Sequence, residues 1–119
     1  MIENNGERAC GCFERALERN DLPELIRLKT EKHLSILYKR MERYDRARSL
    51  WLKRIESGST DLFAYIELAK LYEHKDRQSA KALDMTEKAL DIARLTAEGE
   101  KLVAALNHRR GRLMRKLGN

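Results

Sequence analysis

The thiols of Cys10 and Cys12, separated by a single glycine, are the residues with the clearest capacity for chemistry. Two thiols can ligate a metal ion, but a structural zinc site takes four ligands at short, recurring spacings. No second cysteine pair exists, and His33, His74 and His108 stand far apart without paired spacing. The reading is therefore no metal, no cofactor and two small thiols in a reducing compartment. A disulfide closed over so short a loop would be strained. Glu14, Glu18 and Asp21 are interleaved with arginines, which reads as solvated ion pairs rather than an acid–base couple. A glycine-rich phosphate loop, a nucleophile elbow and a His-Glu-x-x-His pair are all missing. The chain reads as a non-enzyme that works by binding.

A second concentration of reactive groups is basic. The run from His108 to Lys116 holds five Arg or Lys in nine residues, in a chain of formal net charge +6. Such a cluster contacts phosphates without reading sequence, and Arg109, Arg112 and Arg115 are the candidate phosphate contacts. Cations near a helix C-terminus also complement its dipole, so a solvated helix end is the competing explanation.

The elements that carry these groups are set by an internal repeat. Leu34-Ser35-x-x-Tyr38 recurs 34 residues on as Leu68-Ala69-x-x-Tyr72, and Ala47-x-x-x-Trp51-x-x-Arg54-Ile55 recurs 35 residues on as Ala82-x-x-x-Thr86-x-x-Ala89-Leu90. Leu34, Ser35, Tyr38 and Met41 fall on one face of a 3.6-residue period. Small residues at Ser35, Ala69, Ala47 and Ala82 mark where another helix axis approaches closely. Ala9-x-x-x-Phe13-x-x-Ala16-Leu17 repeats the second-helix spacing, and Val103-Ala104 lies 35 residues after Leu68-Ala69. Capping signals at Asp21-Leu22-Pro23-Glu24, Gly58-Ser59-Thr60, Ser79, Thr96 to Gly99 and Gly118 punctuate the helices. Nothing alternates with a period of two, so no sheet is expected.

This period and pattern resemble the tetratricopeptide repeat, matched most fully by Tyr65-x-x-Leu68-Ala69-x-x-Tyr72. The first copy departs at Glu31 and Arg54, the second at Thr86, and neither ends on the family's Pro. The resemblance implies one all-α domain, a superhelix of antiparallel helical hairpins with about six helices. Its parts are a half repeat over about 7–20, repeats over 22–57 and 60–95, and a closing helix over 97–117. Within the repeats, Ser35 to Arg40, Ala47 to Trp51 and Glu67 to His74 also look like the C-terminal repeat region of bacterial predicted exonucleases with a ribonuclease-H-like catalytic domain. That likeness implies an accessory module beside a nuclease, either freestanding or separated from a longer chain.

In the repeat family the first helices line a concave surface. Its positions here are Lys29, Lys32, Ile36, Lys39 and Arg40, then Phe63, Ile66, Lys70, Glu73 and His74, and on the closing helix Lys101, Ala105, His108 and Arg109, a mixed face with a basic lean that suits an acidic or amphipathic peptide. Packing of Ile36, Phe63 and Ile66 against a neighbouring helix is the alternative. The carboxylate-clamp pattern is met only at Lys32, with Ile36 in place of its Asn, and that activity is not implied. Nucleic acid through the basic C-terminal run is the second partner class. Self-association through Phe13 or Leu113 at an uncovered end is the third.

Hydrophobic residues at 42% and charged residues at 37% suit amphipathic helices. No apolar run approaches the roughly 20 residues that span a bilayer, and the polar start from Met1 to Arg8 offers no secretory signal, so a cytoplasmic protein without a membrane partner is expected. If Tyr72 fills an inter-helix core, Tyr72→Ala lowers stability by about 2 to 4 kcal/mol in denaturant titration. An unchanged midpoint would contradict that placement.

Overall fold

The apolar stripe of each repeat faces inward. Leu34, Ser35, Tyr38, Leu68, Ala69 and Tyr72 are all buried, and so are Ala47, Trp51, Ala82, Thr86, Ala89 and Leu90. Helices form because these residues recur every three or four positions, with polar residues on the opposite side. The computed structural model describes residues 5–118, so the polar start read over Met1 to Arg8 lies partly outside it. Six helices and no strand are present among the described residues: α1 Asn5–Leu17, α2 Glu24–Arg40, α3 Tyr44–Glu56, α4 Leu62–His74, α5 Ser79–Ala93 and α6 Ala97–Gly118. The protein is all-α.

Two compact units divide the chain, residues 1–50 and 51–119, with the boundary inside α3. In the first, α1 packs on α2. The Tyr38 hydroxyl donates to the Glu14 carboxylate, Arg43 pairs with Glu7, and the Arg46 guanidinium lies 5.9 Å from the centre of the Tyr38 ring. Arg27 of α2 reaches the end of α1, its guanidinium donating to the carbonyls of Leu17 at 3.1 Å and Arg19 at 2.7 Å. In the second unit, α4 packs on α5 and α5 on α6. The single tryptophan, Trp51, meets Phe63 edge to face at 6.5 Å. Thr86, at the position matching Trp51, is accommodated because its hydroxyl donates 2.8 Å back to the Ala82 carbonyl.

Helix ends obey capping rules through residues other than some of those expected. Asp21 is paired with Arg19 at 3.1 Å and does not cap α2, which starts after Pro23 with no side-chain cap. Asp61 caps α4, its carboxylate accepting from Phe63 N–H at 3.1 Å. Ser79 is the first residue of α5 rather than its cap. Thr96 does act as a cap for α6, its Oγ1 accepting from Gly99 N–H at 2.9 Å. Gly118 lies within α6, because the helix continues to it. Gly58, with φ 86°, ends α3 in the left-handed conformation, where Gly58 N–H donates to Ile55 and Ser59 N–H to Arg54. Glu42, with φ 60°, closes α2 by the same hydrogen-bond pattern without glycine's freedom.

The turn from α5 into α6 rests on one missing side chain. A Cβ on Gly99 would stand 2.4 Å from the Ala93 carbonyl oxygen and 2.5 Å from its Cα. Backbone at that distance must shift to make room. Gly99→Ala is therefore expected to destabilise the protein by about 1 to 3 kcal/mol in thermal or denaturant unfolding, despite alanine's better helix propensity.

Candidate functional site: a buried carboxylate and a basic rim

Glu73 is the penultimate residue of α4, and its side chain is completely buried. A buried carboxylate is tolerated only when paired and hydrogen-bonded. Here α6 supplies the partners. Arg109 Nη1 donates to Oε1 at 2.6 Å, and Arg112 straddles both oxygens at 2.7 and 2.9 Å. Lys116 Nζ reaches Oε2 at 3.0 Å. His74 Nε2 stands 3.7 Å from Oε1. Arg109, Arg112 and Lys116 follow one another at steps of three and four, so they form one stripe on α6, beside the buried Leu106 and Leu113. Donation by Arg112 is the leading reason the Glu73 carboxyl is held at about 2; Lys116 adds to it, against the opposing effect of burial.

A pocket of about 370 Å³ opens beside this cluster, lined by Glu73, His74, Arg77, Ser79 and Lys116. Arg77 is exposed and sits in the left-handed region at φ 54°. Ser79 opens α5. The site therefore gathers a hydroxyl, an imidazole and several cations around one neutralised carboxylate.

The expected groove residues fall into the two units. In the first unit Lys32, Lys39 and Arg40 are exposed and Ile36 is half-buried. In the second, Phe63, Ile66 and Lys70 are half-buried and His74 is exposed. Lys70 Nζ is 3.2 Å from Glu67. Glu73 does not face outward as its groove position implied, because α6 covers it. Of the candidate phosphate contacts, Arg109 and Arg112 are engaged by Glu73 and Arg115 is exposed. Leu113 is fully buried, so it is core rather than an uncovered end; its neighbours Met114 and Leu117 are the exposed apolar residues there. Phe13 is half-buried and stacked on His33 at 6.2 Å.

Cys10 is buried and Cys12 exposed. Burial, with Glu14 nearby, pushes the Cys10 thiol up, and its Sγ lies 3.7 Å from Met41 Sδ. Burial and the Glu14 bond push Tyr38 up to about 12. Among the described residues no group of three or more His, Cys, Asp or Glu is gathered to hold a metal ion, and no helix is long and apolar enough to cross a membrane.

The chain is 40% identical to "Uncharacterized protein YprB" of Bacillus subtilis (strain 168) over 119 residues, 98% of this chain and 27% of that protein. It spans about a quarter of that relative's length. No family model matches the chain, and no solved structure does.

Glu73 makes stability depend on acid. Its carboxyl lies at about 2 in the fold against an ordinary 4.5, so the ion cluster stabilises fully above pH 4.5 and is lost as pH falls toward 2. Glu73→Gln should cost on the order of 3 kcal/mol at pH 7 and flatten the acid limb of the stability curve in that window. An unchanged limb would place the acid sensitivity elsewhere.

Proposed function

We propose that the chain is a protein-interaction module without catalysis of its own, a tetratricopeptide-like stack that serves a nuclease catalytic domain in the cytoplasm. The observation that carries the interaction reading is the surface of α4. Phe63, Ile66, Lys70 and His74 recur every three or four residues and stay half-buried or exposed, while Ala64, Tyr65, Leu68, Ala69, Leu71 and Tyr72 are buried. A stripe with apolar residues at one end and basic ones at the other suits an acidic amphipathic segment laid along it.

The accessory role draws on the resemblance to nuclease repeat regions. It is supported by the size of YprB, in which the matching segment is about a quarter of the chain. A segment of that kind works beside other parts of a longer protein or with a partner supplied separately. Free thiols at Cys10 and Cys12 suit the reducing cytoplasm. Nucleic-acid contact through Arg109, Arg112 and Arg115 ranks below this reading, because Glu73 already takes the first two guanidinium groups.

Trp51 offers the assay, since its ring meets Phe63 at the start of the stripe. Titration with an acidic amphipathic helical peptide is expected to change Trp51 fluorescence saturably. Lys70→Gln should weaken that binding several-fold by removing the cation offered to the peptide's acidic groups, the loss of its Glu67 contact being read separately as a small drop in melting temperature. Equal affinity for the wild type and the variant would remove the α4 stripe as the docking face.

A further inference from the structure

We infer that the pocket between the end of α4, the start of α5 and Lys116 of α6 is an anion site for a phosphate group, carried by free inorganic phosphate or by a nucleoside monophosphate. This goes beyond the interaction reading, which concerns the α4 stripe and shares only His74 with this pocket. The inference stands on charge, donors and space.

Charge comes first. Glu73 is the one acidic residue lining the pocket, and Arg109, Arg112 and Lys116 all bond to it. Of these only Lys116 lines the pocket, so the lining sets Lys116 and Arg77 against Glu73 and carries a surplus of one positive charge, with Arg109 and Arg112 holding the carboxylate from behind. An anion is matched by that surplus, and the donors decide its shape.

Donors come second. The Lys116 ammonium has three hydrogens, of which the Glu73 carboxylate takes one, and its side chain is 47% exposed. The His74 side chain is 58% exposed, so its imidazole meets solvent at the pocket wall. Arg77 contributes a guanidinium fork suited to two phosphate oxygens, and Ser79 a hydroxyl. Four donor groups of different shapes around one space suit a tetrahedral oxyanion, which presents oxygens in several directions.

Space comes third. At about 370 Å³ the pocket is at the small end of the roughly 300 to 1,000 Å³ that ligand sites occupy, enough for a phosphate with a small ester group. It is open to solvent through His74 and Arg77, both exposed, so an ester substituent has a way out.

The test is a chemical-shift titration of the 119-residue chain with inorganic phosphate, a nucleoside 5′-monophosphate and the matching unphosphorylated nucleoside. Saturable shifts at the His74, Arg77, Ser79 and Ala80 amides are expected for the two phosphate compounds and none for the nucleoside. Arg77→Gly suits the left-handed backbone and should weaken phosphate binding about tenfold with melting unchanged. Ser79→Ala is the second variant, expected to weaken it by a few fold, on the order of one hydrogen bond. Tighter binding of the monophosphate than of phosphate assigns the site to nucleotides, and equal binding assigns it to free phosphate. The inference is overturned by phosphate affinity unchanged in both variants, by equal response to acetate, or by shifts spread over all basic residues instead of the pocket.

Discussion

The burial of Glu73 is the constraint on which the second half of the molecule turns. A carboxylate taken out of water carries a desolvation penalty of several kcal/mol, and attraction to a single cation seldom repays it. Three cations from one helix do, provided that helix lies in a single rotational setting. Arg109, Arg112 and Lys116 therefore fix how α6 is turned about its own axis, as well as holding it near α4. Leu106 and Leu113 supply the apolar attraction, which is indifferent to small rotations, and the ion cluster supplies the angular preference. The absence of a Cβ at Gly99 then lets the start of α6 close on the end of α5.

The first unit solves a similar problem with smaller means. Its polar contacts between elements include the part-buried bond from Tyr38 to Glu14 and, nearer solvent, Arg43 with Glu7. Each joins α1 to α2 or to the turn that follows it. Cys10 and Met41 fill the space beside them with soft, polarisable sulfur. The two units therefore share the inward-facing Leu-small-x-x-Tyr stripe while differing in the polar chemistry that holds it.

How much of this was legible in the sequence depended on whether the signal was periodic or tertiary. The helices were legible, since Leu34, Ser35, Tyr38 and their counterparts obey a 3.6-residue period that owes nothing to distant residues. Small residues foretold burial for the same reason. Glu73 was not legible as a buried group, because a glutamate near a helix end is ordinarily solvated and only its partners across 36 to 43 residues alter that. A signal did exist on α6. Basic residues at steps of three and four, flanking Leu106 and Leu113, place positive charge on a buried face, and such a face demands an anion. Charge alone marks Arg109 and Arg112 in the sequence, and charge alone does not distinguish a phosphate contact from a partner already inside the fold. Asp21 does not cap α2 because that helix opens after Pro23, two residues beyond it.

The guanidinium of Arg27 has a consequence for modularity. The Arg15 and Ala16 carbonyls of α1 accept from the backbone N–H groups of Glu18 and Arg19, while the carbonyls of Leu17 and Arg19 are taken by an arginine borrowed from the next helix. The exit of the chain from α1 is thus anchored on a neighbour across the connecting segment 18–23. Transplanting α1 into another scaffold would leave those carbonyls bare unless Arg27 travelled with it, so the smallest transferable piece at this end of the molecule is the pair of helices and not the single one.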